Sequence, residues 1–340
     1  MPPKKKSPAK SRATANRKKK AAKKPGKKAT KKTVRKPAPL TAKAKAAKIK
    51  ALLTRAEKAR EREDHEASRK ALEQVLELSP KNDQAVWWMG DYWHTVDKAK
   101  PALKYYRAYL KMFPGDPEAL HMIASLGGRR APKRASDDYV AMHFDSYAED
   151  FDKSLIGELK YQAPKLLARA MAKVRGKKAE PGDVLDLGCG TGLVGVEIKP
   201  MARKLVGVDL ARKMLREARK RGIYDKLVAE EITKFARSQR GKFDIIVSAD
   251  VLIYFGDITA LFRAAAKALR PGGVFGITVE SHRGGTYKLT SSGRYSHNPK
   301  WLAEVAEDAG LTQRHGSKGR LRFEVGKAVS GYFAVYERSK

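Results

Sequence analysis

Nine residues, Val184-Leu-Asp-Leu-Gly-Cys-Gly-Thr-Gly192, constrain this chain more than any other feature. An apolar run closes in three alternate glycines at the point where a helix is expected to open. Glycine lets backbone approach a ligand closely, and free N–H groups at a helix start favour an anion. The next apolar run, Val206-Gly-Val-Asp209, ends in a carboxylate 21 residues past Gly188. That is the spacing at which the second strand of a nucleotide-binding unit presents an acid to ribose hydroxyls. A dinucleotide fingerprint requires a small residue at 193, and Leu193 stands there instead. Asp186 also interrupts the first strand two positions before its glycine.

The pattern around this loop predicts an α/β fold. Short Val/Leu/Ile-rich strands at Val184 to Leu187, Lys204 to Val208, Lys226 to Ala229, Phe243 to Val247 and Val274 to Val279 alternate with helical stretches such as Lys213 to Arg221 and Ile258 to Leu269. Such alternation implies a doubly wound, mostly parallel sheet covered on both faces. Leu321 to Val325 and Tyr332 to Tyr336 add an antiparallel hairpin, so seven strands are expected.

The charge of +36 lies mainly outside this fold: residues 1–50 hold 18 Lys and 3 Arg and no acid. Residues 1–41 are too poor in apolar side chains to offset the entropy of ordering and are read as a disordered Lys-rich tail. It would contact nucleic-acid phosphates non-specifically, through counterion release. Residues 42–127 read as helical. Pro80 and Pro114 stand 34 residues apart, with Gly90, Trp93, Ala102 and Tyr106 between them at small and aromatic sites of a tetratricopeptide-like repeat, a surface for a protein partner. A linker, 128–136, precedes the α/β domain at 137–340. A single cysteine, Cys189, excludes intramolecular disulfides and cysteine zinc sites. No metal, no membrane span and a soluble, cytoplasmic protein are expected.

The string from Asp186 to Asp209, with Phe243-Asp-Ile-Ile-Val-Ser-Ala-Asp250 and Leu269-Arg-Pro-Gly-Gly273, resembles class I S-adenosylmethionine-dependent methyltransferases over residues 140 to 340. Asp145-Ser-Tyr-Ala-Glu-Asp-Phe-Asp152 and Gly293-Arg-Tyr-Ser-His297 are similar to bacterial predicted methyltransferases with N-terminal tetratricopeptide repeats. The resemblance implies a Rossmann-like fold and S-adenosyl-L-methionine as cofactor. It places Gly188, Gly190 and Gly192 at the methionine part with Asp186, Asp209 at the ribose, Met214 near the adenine, and Glu231 with Ile232 on the ring, the choice between Glu230 and Glu231 staying open. Asp250 falls in the loop facing the methyl group.

Transfer from a sulfonium needs alignment more than a nucleophilic residue. An acceptor of high pKa would need a base, for which His297, Tyr254, Glu280 and His282 are the polar residues near the expected acceptor face, with Tyr254 and His297 taken as the catalytic candidates. Tyr147, Arg294 and Tyr295 are the candidates for binding the acceptor, Arg294 through an acidic group. The loop Ser-Ala-Asp-Val-Leu-Ile-Tyr lacks the Pro-Pro pair that grips planar amides and nucleobases, which favours a small-molecule acceptor. A protein or nucleic-acid acceptor recruited by repeats and tail, and a repeat scaffold with a vestigial methyltransferase fold, are the rival readings.

Overall fold

The computed structural model describes residues 40–339 except 150, 159, 177, 325 and 326. The Lys-rich stretch 1–39 lies outside the described residues. Five helices open the described chain: α1 (Ala42–Glu61), α2 (His65–Leu78), α3 (Asp83–Thr95), α4 (Ala99–Met112) and α5 (Pro117–Ser125). The turn Arg62-Glu63-Asp64 splits what reads in sequence as one helical stretch. Asp64, Asn82 and Asp116 each cap the following helix by accepting the backbone N–H three residues on, at 2.8 to 3.0 Å, which satisfies donors the helix leaves free. Leu52, Ala56, Leu72, Val75, Ala85 and Met89 pack α1, α2 and α3 together. Gly90 brings α3 onto the fully buried ring of Tyr106 in α4: a Cβ there would lie 2.7 Å from that ring.

The second part holds α6 (Asp137–Ser146), an irregular helical turn Lys153–Glu158, α7 (Ala163–Arg175), then β1 (Gly182–Leu187), α8 (Leu193–Ile198), β2 (Ala202–Asp209), α9 (Arg212–Lys220), β3 (Lys226–Ala229), α10 (Ile232–Ser238), β4 (Phe243–Ser248), α11 (Thr259–Ala268) and β5 (Leu269–Ser281). It closes with β6 (Tyr287–Leu289), β7 (Tyr295–His297), α12 (Pro299–Asp308), β8 (Leu311–Glu324) and β9 (Lys327–Arg338). The described strands form one nine-stranded sheet in which β3-β2-β1-β4-β5 run parallel. β9 pairs antiparallel with β5, and β8 with β9. Side chains alternate between faces: Leu185 and Leu187 join the core beneath α10, α11 and α12, while Val184 joins the core beneath α7 and α8.

Two expectations are corrected. The sheet has nine described strands and not seven, because β6 and β7 add a short ribbon that pairs with the far end of β5 at Glu280 and Ser281. The stretch Leu269-Arg-Pro-Gly-Gly273 is a bulge within one long strand: Phe243 pairs with Leu269 and Ile245 already with Val274. Within the 128–136 linker, Ala135 N–H donates to Tyr254 O at 2.8 Å and Pro132 O accepts the Tyr295 hydroxyl at 2.8 Å. No described helix is long and apolar enough to cross a membrane.

Gly90→Ala gains helix propensity of about 1 kcal/mol yet drives a methyl into the Tyr106 ring. Overpacking costs about 1–3 kcal/mol. We expect a net loss of stability, measured by denaturant unfolding.

Candidate active site

The site is built where β1, β2 and β4 end. Gly188 N–H and Cys189 N–H both donate to Val208 O, at 2.8 and 3.0 Å, so the glycine loop folds back over the second strand. Asp209 then fixes that loop: one carboxylate oxygen accepts Gly190 N–H and the other Ala211 N–H, each at 2.8 Å. The glycines have separate reasons. A Cβ on Gly188 would meet Val251 at 2.3 Å, one on Gly192 would meet Arg221 and Tyr224 at 3.0 Å, and one on Gly190 would meet nothing within 4 Å. Gly190 thus opens onto the cavity beside it.

The empty space there, counted out into open solvent, is about 860 Å³. Gly188, Gly190, Asp209, Glu231, Ile232, Asp250 and Tyr254 line it. Phe144, Phe151 and Tyr161, from the segment ahead of β1, line it too. Beneath the glycine loop, Asp186 is fully buried; one oxygen accepts the Tyr224 hydroxyl at 2.7 Å and the other has no partner among the described residues. Burial, opposed by Tyr224, pushes its carboxyl up to about 7.

Glu231 lines the cavity, and its oxygens cap α10 by accepting Thr233 N–H at 2.9 Å and Lys234 N–H at 2.8 Å. Glu230 pairs with Lys234 at 3.0 Å. The wall position is therefore Glu231's. Met214 is 1 % exposed and packs with Ala148, Phe144 and Phe151, so it supports the wall from behind. Asp250 has a left-handed backbone (φ 55°), donates its N–H to Thr278 Oγ1 at 2.8 Å and accepts Arg322 Nη1 at 3.0 Å. Arg322 is buried and also binds Glu280 and Glu324.

The expected acceptor side is rearranged. Tyr254 lines the cavity, but burial raises its phenol pKa against the pull of Arg294 and Arg322, so at neutral pH it can donate a hydrogen bond and cannot serve as base. His297 is corrected: it is fully buried, stacked on Trp301 at 6.0 Å, with Nε2 3.2 Å from Gly256 O, and it is absent from the cavity lining. Tyr295 is also fully buried, and its hydroxyl is spent on Pro132 O, which removes it from acceptor binding. Arg294 is partly exposed and pairs with Glu324, with Glu280 at 3.9 Å. Tyr147 packs edge-on against His143 at 5.2 Å and lies 5.7 Å from the Phe151 ring. Sequence reasoning missed Arg134, Tyr161 and Arg322. A lone Arg in Leu321-Arg-Phe323 carries no signal of its three partners.

Residues 159–315 match the family described as "Methyltransferase domain". The chain is 32% identical over 94 residues to a ubiquinone biosynthesis O-methyltransferase of Xanthomonas oryzae pv. oryzae, covering 26% of this chain and 39% of the relative. It is 31% identical over 147 residues to that of Bordetella avium, covering 38% and 61%. The chain thus spans less than two thirds of the curated relatives it matches. Among solved structures, an S-adenosylmethionine-dependent methyltransferase from Mesorhizobium loti aligns with TM-score 0.41 and 20% identity over 52% of this chain and 98% of its own. S-adenosyl-L-methionine is the cofactor that the family match indicates.

Burial holds the imidazoles of His143 and His297 at about 4, below their ordinary 6.5. Between pH 6.5 and 4 the unfolded chain takes up protons the native state refuses, so stability is full above 6.5 and falls as pH falls. His297→Phe keeps a ring against Trp301 and should flatten part of that acid slope in thermal melts; an unchanged slope would contradict the assignment.

Proposed function

We propose that this protein is an S-adenosylmethionine-dependent methyltransferase acting on a small-molecule acceptor. One observation carries the reading: Asp209 clamps the glycine loop while Gly190 opens on a cavity and an oxygen of Asp186 lies buried without a donor among the described residues. An unpartnered buried acceptor is costly unless a donor arrives, and the methionine ammonium is such a donor. Asp209 would hold the ribose hydroxyls with the lone pairs its two backbone bonds leave free. Glu231 and Ile232 would flank the adenine. When bound, the cofactor supplies a sulfonium methyl with a good leaving group.

The chain's own residues align and exclude water. Phe144 and Phe151 cover the cavity from the α6 side, and Val251 and Tyr254 bound it at the end of β4. Of the candidate bases, Tyr254 stays a phenol, His297 is sealed off, Glu280 is paired with Arg322 and His282 is outside the cavity lining; Asp250, which does line the cavity, is held by Arg322. An acceptor that presents its own lone pair at neutral pH suits this site best. A small acceptor is supported by the mainly apolar wall and by the relatives' printed names. The 34-residue period and the Gly90–Tyr106 contact support reading the helical region as tetratricopeptide-like.

Calorimetry with S-adenosylmethionine tests the reading. The wild type should bind and Asp209→Ala should bind at least about tenfold more weakly, since a charged hydrogen-bond partner contributes about 1.5–3 kcal/mol. If neither binds, the enzyme reading fails. Incubation with labelled cofactor and fractionated cell extract should place the label in small molecules; label in protein or nucleic acid would favour a macromolecular acceptor.

A further inference from the structure

A second hollow opens at the carboxyl end of β5, and it shares no lining residue with the glycine-loop cavity. Ser281, His282 and Arg283 come to it from the end of β5, Asn298 and Lys300 from the start of α12, Lys318 from β8 and Ser330 from β9. Strand register explains the meeting. Ser281 pairs with His297 of β7, which leads into α12, and Glu280 pairs with Gly331, the residue after Ser330. β9 in turn sets Tyr332 opposite Lys318. Hydrogen bonds then hold the loop after β5 to the start of the helix: His282 N–H donates to His297 O at 3.1 Å, Asn298 N–H to Thr286 O at 2.8 Å, and Asn298 Nδ2 to Gly285 O at 2.9 Å. Asn298 also caps α12, its Oδ1 accepting Lys300 N–H at 3.0 Å. Both ends of that amide therefore serve the fold.

Arg283, Lys300 and Lys318 line the hollow, and no carboxylate does. Among the described residues none of the three has an acidic partner, and Glu280, which precedes Ser281, is committed to Arg322. A concavity walled by one sign of charge focuses the field and concentrates counter-ions. The positive end of the α12 dipole adds to it. One further atom points the same way: His282 Nδ1 is buried and has no hydrogen-bond partner among the described residues. Such an atom costs free energy until an occupant supplies a partner.

The number of charges selects the ligand. A carboxylate brings one negative charge and a phosphate monoester about 1.5 to 2 at neutral pH, against three cations and a helix end. Two linked phosphoryl groups match better, with the Arg283 fork suited to paired oxygens and the lysines acting as point charges. The Ser281 and Ser330 hydroxyls supply further donors. An anionic membrane fits poorly, because none of the exposed large apolar side chains, Leu40, Phe113, Met142 and Val196, lines the hollow. We propose that this hollow binds a small diphosphate-bearing molecule through Arg283, Lys300 and Lys318. It stands whether or not the glycine-loop cavity transfers methyl groups, since the two walls have no residue in common.

The test is calorimetric titration of the full chain with pyrophosphate. A saturable site is expected, and the triple variant Arg283→Gln, Lys300→Gln, Lys318→Gln should weaken it at least about tenfold. A second triple variant, Arg216→Gln, Arg219→Gln, Arg263→Gln, removes the same net charge from exposed positions outside the hollow and should keep the wild-type affinity. Thermal melts of both should match the wild type, since all six side chains are exposed. Equal losses in the two variants would reduce the effect to net charge and overturn the site, as would pyrophosphate binding no tighter than acetate. A single-stranded oligothymidylate, with the Lys-rich stretch 1–39 available to it, should bind both variants alike. If the hollow variant loses the oligonucleotide and keeps pyrophosphate, the surface belongs to nucleic acid and the small-ligand assignment is overturned.

Discussion

A guanidinium buried as deeply as that of Arg322, whose side chain is 4 % exposed, would cost several kcal/mol if left alone. Asp250, Glu280 and Glu324 keep it there. Those carboxylates come from the loop after β4, the end of β5 and the end of β8. None can move without exposing an uncompensated charge, so the closing hairpin, the central strand and the cavity wall are held as one body. The same tie explains why Asp250, a residue with a Cβ, sits in a left-handed backbone on the cavity wall. Such strain costs about 1–3 kcal/mol and persists only where surroundings over-determine it; here Thr278 and Arg322 hold the residue at both ends.

The constraint spreads outward through shared partners. Glu324 binds Arg322 and Arg294 alike, and Arg294 continues from the turn that His94 and His121 grip. Substitutions along this route are therefore expected to be non-additive, because each member contacts the next. On the opposite side of the cavity, Asp209 plays a quieter part with neutral partners, its two backbone N–H bonds shaping the glycine loop.

Much of the central sheet and of the cavity's glycine-loop side is legible in the sequence. β1, β2 and β4 are Val/Leu/Ile runs because both faces of a parallel sheet are buried, and Gly188 and Asp209 stand out through close approach and spacing. The edges are less legible. β6 and β7 have three residues each, too few for any periodicity to register. β8 starts at Leu311, but Thr312 to Arg314 and alternate residues beyond are exposed and polar, so no apolar run marks its first half. Tyr295 and His297 mislead because polar side chains suggest a wet site, whereas tertiary packing seals them beneath Trp301 and the 128–136 segment. Arg322 gives no local sign, since its partners lie 72, 42 and 2 residues away.

The tight folding of the glycine loop governs the chemistry of Cys189 as well. The thiol belongs to the cavity lining yet is 4 % exposed, and burial beside Asp186 and Asp209 raises its pKa, so thiolate is scarce. As the only sulfhydryl in 340 residues, it gives the glycine loop a single thiol through which a cysteine-directed reagent would report on the cavity wall alone.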